Sequence, residues 1–190
     1  MRTILTIIFS LFILACTAQI NYGHIWKIRG TNEYRIEKDE KYRVWLEYPL
    51  YNVILESKPN RAGEKITVVY YLESDTVLSI QAGPIHFYGI YKNYLFIDRG
   101  TGSIRGLTIF NLNSQSFVFS TTLSRPPILK SDSLFFDYPI FDANNYPANF
   151  PECPDSIKKY GLYGYCEERI FILCNMELIK TGKFKCEYRE

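Results

Sequence analysis

From residue 42 onward, apolar side chains recur at every second position in short runs broken by turn-forming residues. Ile66, Val68, Tyr70 and Leu72 share one face of a run over residues 66–72. Glu73, Ser74 and Asp75 then supply turn chemistry before a second run over 76–82, so the pattern predicts a β-hairpin. Residues 106–112 and 116–122 predict another, around Asn113, Ser114 and Gln115. Further strands are predicted over 94–97 and 133–138. Residues 42–48 and 51–56 flank Pro49 and predict a bent or edge strand pair, because proline has no N–H to give to a ladder.

Four of the nine prolines, Pro139, Pro147, Pro151 and Pro154, fall within residues 139–155. That density blocks helix and ladder alike, so this stretch is expected to be a loop leading to a cysteine-containing unit over 153–190. Residues 155–160 predict one short helix with Asp155 as cap and Gly161 as stop. Residues 167–180 read as a buried strand through Ile170, Phe171 and Ile172, with 183–188 as its hairpin partner, although Glu167 and Glu168 at the start and Gly182 at the end also suit a helix. The fold class expected is all-β: mainly an antiparallel meander, sandwich or rolled sheet, with at most one or two short helices near the C-terminus. Residues 92–138 hold four predicted strands and resemble, in rhythm, one blade of a β-propeller of the WD-repeat or kelch kind. No Trp-Asp pair closes that unit and no second copy at its period is visible, so the resemblance implies a local meander and not a complete propeller.

The N-terminus carries a different pattern. Arg2 precedes residues 4–15, twelve positions without a charge. As a helix at ~1.5 Å per residue they are too short to span a ~30 Å hydrocarbon core, and fit the apolar region of a secretory signal better. Ile13-Leu14-Ala15-Cys16 resembles the bacterial lipoprotein box, which implies cleavage after Ala15 and lipidation of Cys16. The small residues at 16 and 18 before Gln19 also satisfy ordinary signal peptidase, which would cleave after Ala18. The reading adopted is a signal over 1–15 and a single β-rich domain over 16–190, in a bacterial envelope protein anchored to its membrane by acylated Cys16. The alternative is a soluble periplasmic or secreted form.

Composition changes this picture in three ways. With 22 Lys and Arg against 20 Asp and Glu, bulk charge argues against a nucleic-acid binder. The 16 Tyr and 13 Phe are what half-buried strands need, whereas only 2 His leave little imidazole for acid–base or metal chemistry. Beyond Cys16, the remaining cysteines, Cys153, Cys166, Cys174 and Cys186, form an even set in the last 38 residues, and in an exported chain they are disulfide candidates. Their spacing contains no C-x-x-C and speaks against a zinc ribbon or redox motif. A bond between Cys166 and Cys174 is disfavoured, because an extended run between them separates the two by about 26 Å.

The most individual motif is the glycine-rich loop of Asp98, Arg99, Gly100, Gly102, Arg105 and Gly106. Its glycines let backbone N–H groups approach a ligand and its arginines offer bidentate donors to an anion or a partner. It is not a P-loop, since no Gly-Lys-Ser/Thr follows. The same residues also suit a plain hairpin connection in which Asp98 pairs with an arginine. Ser103, His86 and Asp98 can be written as a triad, but no G-x-S-x-G elbow accompanies them. Asp142 opens no EF-hand, because Pro147 and Cys153 occupy its glycine and closing-glutamate positions. Glu47, Glu56, Glu167 and Glu168 are the acids from which a glycosidase pair could be drawn. Trp26, Trp45, Tyr48 and Tyr51 could form a sugar- or protein-binding surface, or simply pack. No catalytic residue, metal or cofactor is assigned. The expected function is a non-catalytic envelope binding or interaction module with an unknown protein or glycan partner and no nucleic acid; an envelope hydrolase or a secreted hydrolase inhibitor is the alternative.

Overall fold

The computed structural model describes residues 32–38, 41–57, 62–72, 75–81, 83–100, 105–141, 150–159, 161 and 163–188. The signal, Cys16, Trp26, Gly102, Ser103 and residues 142–149 therefore lie outside the described residues. The chain is all-β with one short helix, and its strands fall into three antiparallel sheets. The first contains β1 (Asn32–Lys38), β2 (Lys41–Glu47), β3 (Tyr51–Ser57), β4 (Lys65–Tyr70) and β5 (Thr76–Ile80). The second contains β6 (Ile85–Tyr91), β7 (Tyr94–Arg99), β8 (Arg105–Asn111) and β9 (Ser116–Leu123). The third contains β10 (Ile128–Lys130), β11 (Ser133–Ile140), β12 (Tyr163–Ile172) and β13 (Glu177–Tyr188), with α1 (Asp155–Lys158) before β12. In every sheet the hydrogen-bonded neighbours are also neighbours in sequence. The expected meander is thus divided in three.

Alternation builds the first sheet: Tyr51, Val53 and Leu55 on β3 are buried while the residues between them are not. In the second sheet the alternation disappears. Leu95, Phe96, Ile97 and Asp98 on β7 are buried in succession, which requires cover on both faces. Residues of all three sheets join one apolar cluster, including Leu46 and Val68 from the first, Leu107 and Ile109 from the second, and Leu129, Leu134 and Phe171 from the third. Each such fully buried side chain contributes about 1.5–3 kcal/mol.

Specific bonds seat the sheets on one another. Glu64 N–H donates to Ile85 O at 2.7 Å and the Glu64 carboxylate accepts from Phe87 N–H at 2.9 Å. Gly63 makes this junction possible: its φ is +92°, and a Cβ there would stand 2.6 Å from Gly83 O. Tyr94 Oη donates to Leu173 O at 3.1 Å, and Phe119 stacks on Phe171 at 4.0 Å, joining the second sheet to the third.

The predicted hairpins are present: β4 pairs with β5, and β8 with β9 about a turn in which Asn111 Oδ1 accepts from Asn113 and Ser114 N–H. Several expectations are corrected. β2 and β3 pair, but β1 and β4 flank them, so neither is an edge. The unit expected over 92–138 is really β6–β9, and residues 133–138 belong to the next sheet. Pro139 sits within β11 opposite Cys166, so the strand continues to Ile140 before the proline-rich stretch. Residues 167–180 are not one strand: the chain turns after Ile172, with Met176 at φ +57°, and Glu177–Lys180 starts the return strand. Pro154, not Asp155, occupies the helix cap, and no side chain bonds there. Gly161, at φ +86°, does follow the helix.

Cys153 and Cys186 form a disulfide with Cα atoms 5.2 Å apart, tying the segment before α1 to β13. Cys166 and Cys174 are thiols. Of the four disulfide candidates, two are therefore bonded to each other and two are not. The extended path from Cys166 along β12 keeps it from Cys174, whereas the pairing of Tyr165 with Cys186 puts Cys186 on the side of the sheet that Cys153 reaches.

Candidate functional site

The ends of β7 and β8 hold Asp98, Arg99, Arg105 and Gly106 of the glycine-rich motif at the margin of the second sheet. Arg99 closes β7 and pairs with Gly106 on β8. A Cβ at Gly106 would lie 3.2 Å from both Cβ and O of Arg99, so glycine there lets the arginine cross its neighbouring strand closely. Gly100 N–H donates to Pro84 O at 3.0 Å and fixes the first residue of the loop.

Asp98 is fully buried, and its carboxylate forms an ion pair with Arg105 Nη2. Its Oδ1 and Arg105 Nε have no hydrogen-bond partner among the described residues. The Arg105 guanidinium also lies 6.0 Å from the ring of Tyr88, and burial lifts the phenol of Tyr88 above its ordinary pKa against the pull of Arg105. The structural half of the loop reading therefore holds for Asp98 and Arg105.

The third sheet supplies the opposite wall. Arg169 on β12 lies 3.6 Å over the ring of Tyr138 and binds Glu167 Oε2 through Nε and Nη2, each at 2.8 Å. Between these walls runs β9, with Phe119, Ser120, Thr121 and Thr122, and Leu178 of β13 completes the margin. Together they enclose an open cleft of about 640 Å³ lined by Arg99, Arg105 and Arg169. Two of the guanidiniums are matched by buried acids, Asp98 and Glu167. Arg99 is exposed and has no acidic partner among the described residues. Among the described residues one unit of positive charge is left over, beside the hydroxyls of Ser120, Thr121 and Thr122.

Of the residues singled out in the sequence, the structure brings Arg99, Arg105 and Gly106 to this cleft. His86 stands opposite Asp98 in the β6–β7 register, but the Asp98 carboxylate is committed to Arg105. Tyr48 packs edge-on to Phe87 and Tyr51 stacks on Tyr70, both buried, so these rings serve packing. Glu56 is held by Arg43 and Lys65; the hydrogen bond from Arg43 first, then that from Lys65, keeps its pKa below the usual carboxylate value. Glu167 belongs to Arg169, Glu168 lies 3.4 Å from Lys183, and Glu47 stands across from Asn52. The sequence reading missed Arg169, Tyr138 and the β9 hydroxyls. Arg169 sits in a charged stretch that reads as a solvated strand edge, and nothing local announces that it faces Arg99 across seventy positions.

A second polar cluster lies near the disulfide. Asp137 and Glu187, both buried, share Arg125 and Lys185 as counterions, and the Cys166 thiol donates to Glu187 Oε2 at 3.3 Å. Burial works to raise the Glu187 pKa, but hydrogen bonds from Ser124 and Cys166 and the charges of Arg125 and Lys185 outweigh it and hold the carboxyl below its ordinary value. With both acids neutralised inside one sheet, the cluster is a structural network. Among the described residues no group of three or more His, Cys, Asp or Glu is placed to hold a metal ion. Comparisons with protein-family models, curated proteins and solved structures find no match.

Proposed function

We propose that this chain is an exported, lipid-anchored bacterial envelope protein that acts without catalysis, as a binding module that takes an anionic group of its partner into the arginine cleft. The observation that carries this is the charge balance of the cleft: Asp98 and Glu167 satisfy two arginines and leave Arg99 open to an incoming anion. A carboxylate or similar monoanion completes that balance, with β9 hydroxyls as additional donors. A hydrogen bond to a charged group contributes about 1.5–3 kcal/mol when its partners are held in place, so a single carboxylate binds weakly and gains strength from the molecule that carries it.

Export is supported by the charge-free run before Cys16 and agrees with the Cys153–Cys186 disulfide, a bond that persists in oxidising compartments. Two measurements test the reading. Mass spectrometry of the protein from its host membrane should find Cys16 as an acylated N-terminus; an unmodified N-terminal Gln19 refutes the anchor. Titration with acetate, followed by NMR of the arginine Nε–Hε signals, should shift Arg99 and leave the Arg43 signal unmoved. An Arg99 signal indifferent to acetate refutes the cleft.

A further inference from the structure

β9 is an edge of unusual kind. It ends the second sheet, so the backbone groups along its outer side bond to no other described strand from Ser116 to Leu123. Phe119 of β9 packs edge-on to Phe136 of β11 at 5.9 Å, but the backbone first bonds to β11 at Ser124, whose N–H donates to Asp137 O at 3.1 Å. Sheet edges are ordinarily guarded by charge, proline or brevity. β13, the free edge of the third sheet, carries Lys180, Lys183 and Lys185, and β10 is three residues long. The eight residues of β9 include no charge and no proline, and Phe117 is 68% exposed. That open edge runs along the cleft whose unmatched cation is Arg99.

We infer that the partner is a protein segment in extended conformation, which adds to β9 as a further strand and places an acidic side chain on Arg99. Main-chain hydrogen bonds to the edge supply affinity, and the ion pair with Arg99 fixes register. A second copy of β9 is the poorer occupant, because that strand offers no carboxylate to Arg99. A stacked sugar is also the poorer fit, since Arg169 covers one face of Tyr138 and Phe171 covers Phe119. This inference rests on the cleft reading above and specifies what fills it.

The test uses the full processed protein, purified in detergent and immobilised. Two pools of nonapeptides are passed over it, randomised at eight positions and fixed as Glu or as Gln at the centre. Retention of the Glu pool should exceed that of the Gln pool about tenfold, the weight of one charge-assisted hydrogen bond. Arg99→Gln should bring the ratio to about one. For the best-retained peptide, N-methylation of alternate residues along one edge should abolish capture, while methylation along the other edge leaves it unchanged; this signature belongs to strand addition. Equal retention of the two pools, or equal tolerance of both methylation patterns, overturns the inference. So does a concentration-dependent dimer that excludes the peptides. If acetate shifts Arg99 but no peptide is retained, strand addition fails and the anion cleft stands; if acetate has no effect either, both fail.

Discussion

Replacing Arg105 with Met leaves Asp98 fully buried and strips it of its counterion. A carboxylate abandoned in this way costs about 3–5 kcal/mol, because its buried charge is left uncompensated. Arg105 is itself 37% exposed, and water entering behind the shorter methionine brings the cost to the lower end, about 3 kcal/mol. In a chain of this length such a loss lowers Tm by roughly 6–12 °C. Asp98→Asn removes the charge but keeps a polar group among apolar neighbours, and should cost about 1–2 kcal/mol. The double variant Asp98→Leu/Arg105→Met removes both members and should recover most of the loss, since apolar replacement of a buried ion pair is often neutral or stabilising. Urea unfolding followed by tryptophan fluorescence measures all three. The double variant also covers the case in which Arg105→Met fails to fold. The reasoning is refuted if Arg105→Met costs less than about 1 kcal/mol, or if the double variant is worse than either single change.

Other parts of the molecule give independent expectations. The depressed pKa of Glu187 means that its stabilisation is present above the ordinary carboxylate value of about 4.5 and is lost as pH falls through the lower folded-state value; Glu187→Gln should therefore flatten the acid limb of a stability-versus-pH curve. Reducing Cys153–Cys186, which closes a separation of 33 residues, should cost about 4 kcal/mol by loop entropy, measured by denaturation with and without reductant. In the native protein iodoacetamide should label exposed Cys174 rapidly and buried Cys166 only on unfolding, as read by mass spectrometry. Gly63→Ala forces a Cβ against the backbone of Gly83 and Ile85 at positive φ and should lower stability by about 2 kcal/mol or more, with calorimetry as the check.

Strand identity was legible wherever burial alternates. Ile66 and Val68 announce β4, and the Asn113 turn announces the β8–β9 hairpin, because half-buried strands and tight turns are written in local residue choice. Grouping into sheets was not legible. Nothing in residues 123–133 shows that β9 and β11 part company, since that division depends on which faces meet in the core. The turn after β12 escaped notice because Asn175 is its only strong turn former and Met176 takes the left-handed conformation that glycine usually marks. At the site, Arg99 and Arg105 were visible through their glycines, whose conformational freedom leaves a mark on the sequence. Arg169 was not, because its role depends on packing between sheets.

The assembly of each sheet from consecutive strands has a kinetic side. Hairpin by hairpin, each pairing can close as soon as its second strand is free to fold, and only the joining of sheets must wait for distant parts of the chain. Cys153, Cys166, Cys174 and Cys186 all come within or just before the strands of the last sheet, so an oxidant that acts early finds none of them. Wrong bonds, when they form, stay within that final unit and leave the first two meanders free to fold.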